Sequence, residues 1–278
     1  MFTRMKQRFE QFVVSRLVGP RIVAADPRKI DVNYSPTEEG SKVNHALWTS
    51  VLQRCVQTGI SRDGLNYCSL FNYNLVLNDK DIQSNMDEYM SQLSAIKLDE
   101  LNDNERCSVL MNLYNAVAIK TLLDAMKEGK TLKSITDLST VRQAIWKRPA
   151  FNLNGKEVCL DDIEHNFLRR EWNEPRVHAC VVCASMSCPN LRNEAYVPDR
   201  LDTQMTEQMN SWLINDTKGI KIEGENIQIS RIFLWFKDDF VSSQGNEIEF
   251  IRKYRQDIPT TPTISYFEYN WMINITDA

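Results

Sequence analysis

The feature that most restricts the fold is the stretch Glu105 to Glu128, where Val109, Leu110, Leu113, Ala116, Val117, Ile119, Leu122, Leu123 and Met126 leave a helix apolar on most sides. Such a helix cannot lie at a surface, so it is expected to be central and buried, with Gly129 as its C-terminal stop. The chain can cover it, because 42% of its 278 residues are apolar.

Other helices are expected from Leu47, Val51, Leu52 and Val56 over His45 to Val56, from Met86, Tyr89, Met90 and Leu93, and from Leu201, Met205, Met209 and Trp212. The period changes in the second half. Ala150 to Leu153 and Lys156 to Cys159 are strand-like runs joined by Asn154-Gly155, the pair suited to a type I′ turn. A second hairpin is expected around Glu223 to Asn226, Ser230 is placed to cap a helix, and Ile264 to Tyr269 reads as a final strand. The fold class is therefore α+β: a helical N-terminal half around a central buried helix, packed on a small, mainly antiparallel sheet with hairpins.

Two segments are distinguished. Residues 1–44 read as an amphipathic helix (Phe2, Met5, Phe9, Val13 and Leu17, with Arg4, Lys6, Arg8 and Arg16) followed by the linker or exposed loop Asp26 to Ser41, and residues 45–278 as the main domain. The N-terminal helix is compatible with docking on the main domain, with a partner or membrane surface, or with mitochondrial targeting, against which Glu10 counts. The mixed charge, 33 basic against 37 acidic residues and a formal net of −4, argues against a nucleic-acid partner. No apolar run approaches the roughly 20 residues that span a bilayer, and a soluble protein is expected. Seven scattered cysteines, an odd number, favour reduced thiols in an intracellular, cytoplasmic setting.

Nine glycines form no phosphate-cradling loop, so no cofactor is expected. A histidine base must be His45, His165 or His178. Val177 to Val182 reads as a buried strand that runs into Cys183-Ala-Ser-Met-Ser-Cys188-Pro189. Proline favours the first position of a helix, which would set Cys188 at a helix N-terminus and favour its thiolate. Cys188 is thus the leading nucleophile candidate, ahead of Cys183. The bland alternative is that these cysteines are small apolar core residues. The same atoms could instead form a Cys183–Cys188 redox disulfide or, with His178 and Cys180, a zinc site; a second matching Cys-x2-Cys pair is missing, and no metal is expected. Asp161-Asp-Ile-Glu164 has the form of a capping box, opening a helix Asp162 to Glu171 that carries His165 one turn in.

Several separated phrases together resemble domain-of-unknown-function family 547 (DUF547): Met111-Asn-Leu-Tyr-Asn-Ala116, Leu160-Asp-Asp-Ile-Glu-His165, Pro175-Arg-Val-His178, Cys183-Ala-Ser-Met-Ser-Cys-Pro189, Ser230-Arg-Ile-Phe-Leu-Trp-Phe-Lys-Asp-Asp-Phe240 and Tyr269-Asn-Trp271. The resemblance covers His45 to Asn274 and singles out Asn112, Tyr114, Asn115, Glu164, His165, Arg176, His178, Cys183, Ser187, Cys188 and Pro189. It implies a domain and not a substrate. Because the set joins cysteine, histidine and carboxylate or asparagine, it also suggests a distant analogy to papain-like or transglutaminase-like thiol enzymes.

Three functions are compatible with these residues. One is a cysteine-dependent hydrolase or acyl transferase acting on amide or peptide-like bonds, in which Cys188 or Cys183 attacks, His178 or His165 takes the proton, and Glu164 or Asn115 orients the imidazole. Another is a non-catalytic domain that binds a protein partner, with Leu234, Trp235 and Phe236 in the core or on its surface. The third is a thiol redox sensor through Cys183 and Cys188.

Overall fold

The computed structural model describes residues 23–35, 43–141 and 143–277. The expected central helix is α4 (Asp103–Lys127), preceded by α1 (His45–Cys55), α2 (Tyr73–Asn78) and α3 (Lys80–Ala95). α4 starts two residues earlier than its apolar pattern, because Asn102 supplies a cap. The Asn102 side chain accepts from the Glu105 N–H at 3.0 Å, and the Glu105 carboxylate accepts from the Asn102 N–H at 3.2 Å. At the other end Gly129 adopts φ +79°, and the Lys130 N–H returns to the Ala125 carbonyl at 3.0 Å, closing the helix through a left-handed residue. Every residue from Asn104 to Ile119 is buried. α4 packs against α2, α3 and the segment 162–168, so the helical half surrounds it as its composition requires.

Among the described residues three small sheets complete the α+β fold. Strands β1 (Val56–Arg62) and β2 (Leu65–Phe71) form an antiparallel hairpin through Asp63-Gly64, both at positive φ. β3 (Phe151–Leu153) and β4 (Lys156–Val158) pair through Asn154-Gly155, with φ of 48° and 81°. This is the left-handed pair that a type I′ turn needs. β5 (Ile220–Glu223) and β6 (Asn226–Ile229) form the expected second hairpin, and β7 (Thr263–Tyr266) adds to β6 in parallel. The short helix α5 (Val177–Cys180) comes before α6 (Leu201–Leu213); α7 (Arg231–Trp235), capped by Ser230 as expected, then leads to α8 (Lys237–Gln244) and α9 (Glu247–Arg252).

One expectation is corrected here. Val177 to Cys180 forms a helical turn and not a strand, and only Val181 onward is extended. A short apolar run fits either period, and the hydrogen bonds decide: the N–H groups of His178 and Ala179 reach back to the carbonyls of Pro175 and Arg176.

The N-terminal helix expected over Phe2 to Leu17 lies outside the described residues. Part of the expected linker, and Ala24 just before it, docks on the main body of the chain: the Ala24 and Arg28 N–H groups donate to the Arg170 and Glu171 carbonyls at 2.9 and 2.7 Å, and the Asp31 N–H donates to the Asn104 side chain at 2.8 Å. No helix among the described residues is long and apolar enough to cross a membrane.

The turn from α6 into β5 is packed without slack. A Cβ on Gly219 would stand 1.8 Å from the Trp212 carbonyl oxygen, a backbone atom that cannot rotate away. Gly219→Ala is therefore expected to lower the unfolding free energy by about 3 kcal/mol, read from denaturant melts; a loss below about 1 kcal/mol would contradict this packing.

Candidate functional site

Three segments distant in sequence meet at a half-open cleft of about 680 Å³. Its floor is the loop Cys183 to Cys188. Ala184 takes φ +63°, unusual for a residue with a Cβ, and turns the chain so that the two thiols face each other at 3.0 Å. The Cys188 thiol also lies 3.1 Å from the Tyr269 hydroxyl, and Cys183 lies 3.2 Å from Ser185 Oγ. Cys188 is 4% exposed, whereas Cys183 is half-buried.

The C-terminal segment sews this loop in place. The Met186 and Ser187 N–H groups donate to the Met272 and Asn270 carbonyls at 2.8 and 3.1 Å, and the Asn274 N–H donates to the Ala184 carbonyl at 2.9 Å. From the other side, Asn115 of α4 accepts from the Val182 N–H at 2.8 Å and donates to the Cys180 carbonyl at 3.0 Å. Asn115 was expected to orient an imidazole; it holds the backbone that leads into the thiol loop instead. Lys218, 4% exposed, donates to the Met186 carbonyl at 3.3 Å from beneath the loop.

No helix begins at Pro189, and the next one starts at Leu201, so the expected helix-terminal setting of Cys188 is also corrected. Different groups act on this thiol. Burial raises it, but hydrogen bonds from Cys183, from the Tyr269 hydroxyl and from backbone groups of Cys183 and Ser185 outweigh that and place Cys188 below the ordinary thiol range. Its partner Cys183 is pushed up, first by the bond to Cys188 and then by burial. The pair therefore gives up its first proton easily and its second with difficulty.

One wall of the cleft comes from a π-helix, Asp162–Leu168, a wider turn than the expected α-helix and one often found at functional sites. The expected capping box does not form. Asp162, not Asp161, accepts from the Cys159 N–H at 3.0 Å, and Glu164 lines the cleft, where the Tyr114 hydroxyl donates to it. Burial drives the Glu164 carboxyl up to about 7, against the opposing pull of Arg169 and Tyr114. His165 points its Nδ1 at the Arg169 guanidinium, 2.6 Å away, and burial together with Arg169 lowers it to about 3. A histidine held this way is neutral.

His178 completes the wall. Its Nε2 lies 2.6 Å from Asp239 Oδ2 and its Nδ1 lies 4.0 Å from Glu164. Asp239 is gripped by Arg169 at 2.6 and 3.0 Å; burial raises its carboxyl, but the bonds to His178 and Arg169 win and keep it well below the usual carboxylate range. An ionised Asp239 fixes the proton of His178 on Nε2 and turns the Nδ1 lone pair toward Glu164. The ring of Phe236 packs on His178 at 4.2 Å between centroids.

The structure thus brings Cys183, Cys188, Glu164, His165 and His178 to one cleft, with Asn115 behind it. Cys180 stays in the core, its thiol 3.3 Å from the Arg176 carbonyl, which splits the four-ligand zinc set. Among the described residues no group of three or more His, Cys, Asp and Glu side chains is placed to hold a metal ion. Sequence reasoning gave no role to Asp239, Arg169, Tyr114 or Tyr269, although three of them lie in the quoted phrases.

Residues 98–213 match the model of the family described as Protein of unknown function, DUF547. This stretch of the chain is similar to DUF547. No curated protein and no solved structure matches the chain, so the analogy to papain-like and transglutaminase-like enzymes rests on the motif residues alone. The matched stretch contains α4, the π-helix and the thiol loop, whereas Trp235, Phe236, Asp239, Tyr269 and Trp271 lie beyond its end.

The buried carboxyl makes a pH prediction. Because the folded state raises Glu164 from an ordinary 4.5 to about 7, folding favours its protonated form; stability is greatest below the ordinary value and falls as pH rises through about 7. Glu164→Gln removes that dependence. Its unfolding free energy relative to the parent is expected to improve by about 3 kcal/mol between about pH 5 and about pH 8.5, and parallel pH dependences would contradict the assignment.

Proposed function

We propose that the cleft carries out thiol-dependent hydrolysis or acyl transfer on an amide or peptide-like bond, with Cys188 as nucleophile. The observation that carries this reading is the contact of Cys188 with Cys183 and Tyr269 at the floor of a cleft that also presents Glu164 and His178. A thiolate needs donors that favour it, and the two neighbours supply them. In the reaction the Cys188 thiolate adds to the carbonyl carbon. The C–N bond then breaks as the amine leaves with a proton, and a thioester remains. Glu164, titrating near neutrality, suits both the delivery of that proton and its later removal from water or another acceptor. His178 faces it through Nδ1 while Asp239 holds the far side of the ring, the role a carboxylate takes behind a catalytic imidazole. Attack by water releases the acid and restores the thiol; attack by an amine or alcohol makes the reaction a transfer.

A second reading is favoured by one distance. The thiols stand 3.0 Å apart, and a disulfide spans about 2.05 Å, so a shift of about 1 Å joins them. Loss of two electrons and two protons to a hydroperoxide would convert the pair to a disulfide and water plus alcohol, which suits a redox sensor.

Iodoacetamide labelling of the native protein with peptide mapping tests the thiolate. At about pH 7 label is expected on Cys188 or its partner Cys183 well before Cys55, Cys107, Cys159 or Cys180, whose thiols burial pushes up. Cys188→Ser removes the leading cause that holds the Cys183 thiol up and is expected to move the labelling of Cys183 to lower pH. Equal sluggishness of all seven thiols in the folded protein would overturn the reading.

A further inference from the structure

The lining of the cleft says what kind of group it accepts. Trp146, Trp235, Phe236, Tyr269 and Trp271 contribute aromatic surface, and three of them form a continuous array: Tyr269 lies 4.4 Å from Trp271 and 4.7 Å from Trp235, and Trp235 stacks on Trp271 at 5.6 Å and 21°. Trp146 meets Trp271 edge-on at 5.8 Å. The groups there that can carry negative charge are the carboxyls of Asp161 and Glu164 and the paired thiols.

Among the described residues no lysine or arginine lines this cleft. The nearby Arg169 is committed, bound by two bonds to Asp239 and stacked 4.8 Å over Phe236. Lys147, whose charge reaches Asp161 and His165, lies outside the lining. Asp161 Oδ1 is buried with no hydrogen-bond partner, and Nε2 of the neutral His165 ring lies 3.6 Å from this side chain.

We propose that the cleft binds its ligand through a cationic side chain, a guanidinium or an alkylammonium, held against the Trp235, Tyr269 and Trp271 rings and within the field of Asp161 and Glu164. Aromatic faces attract cations through their quadrupoles, and more strongly where water is excluded. The carboxyls add Coulomb attraction, and the orphan oxygen of Asp161 gains a donor. Burial holds both carboxyls above their ordinary range, a cost that a bound cation relieves. A neutral apolar group would fill the same space and leave that cost standing. Calling the occupant a substrate rests on the thiol chemistry proposed above; its binding does not.

Titration of the full chain with N-acetylarginine amide, read by tryptophan fluorescence and calorimetry, tests this, with N-acetylcitrulline amide as the neutral isostere. The lysine and norleucine amides form a second pair. Saturable binding of a cation at least about ten-fold tighter than its neutral partner is expected. Asp161→Asn should abolish most of that preference, and Trp235→Leu should weaken the cation. Equal affinity within both pairs, or no saturable change with either cation, overturns the proposal. Cation binding without thiolate labelling would retain this site and discard the thiol chemistry; labelling without cation preference would do the reverse.

Discussion

A helix buried on every side must satisfy its polar side chains without water, and that constraint organises this molecule. α4 carries Asn104, Asn112, Tyr114 and Asn115 into the interior together with its apolar residues. Leaving any of their amides or hydroxyls unpaired there costs on the order of 1–3 kcal/mol. Each is paired, and the partners are mostly backbone groups of other segments. Asn104 donates to the Asp31 and Pro198 carbonyls, Asn112 exchanges two bonds with the backbone of Tyr196, and Asn115 exchanges two with Cys180 and Val182. The pairs fix where three loops run, and one of those loops delivers the thiols.

The site inherits its geometry from this arrangement. Asn115 sets the entry to the thiol loop, the C-terminal segment 270–274 sets its exit side, and Tyr114, the next residue on α4, reaches Glu164 on the opposing π-helix. Rigid supports on both sides let a strained residue, Ala184 at φ +63°, persist where the two cysteines turn toward each other. Electrostatics then sorts the ionisable groups. Arg169 and Asp239 neutralise one another in the interior, His165 is kept uncharged, and Glu164 is held near neutrality. Chemistry is thereby concentrated on a carboxyl, an imidazole and a thiol pair at one cleft.

Much of the framework was legible in the sequence because its signals are local. The apolar pattern of α4, the Asn154-Gly155 turn and the Ser230 cap each act within a few residues. The β1–β2 hairpin carried the same kind of signal at Asp63-Gly64, yet its strands, with Gly59 inside one of them and irregular register, lack the alternation that would have drawn attention to it. The helical turn at Val177–Cys180 was misread because a short apolar run suits both periods. At the site, cysteines and histidines stood out by type. Asp239 did not, because it follows another aspartate on a helix and only the fold brings it to His178, 61 residues away. The inward turn of Glu164 depends on π-helical hydrogen bonding, which leaves no periodic trace over seven residues.

The central claim is that α4, by clamping the chain before the thiol loop, creates the condition under which a thiolate forms at neutral pH. Ultraviolet titration of thiolate absorbance in the parent and in Asn115→Ala, with far-ultraviolet circular dichroism on the same samples, tests it most directly. The account predicts one thiol titrating below the ordinary range in the parent and a shift to higher pH in the variant while the helix signal persists. Superimposable titrations, or no thiolate below the ordinary range in the parent, would contradict it.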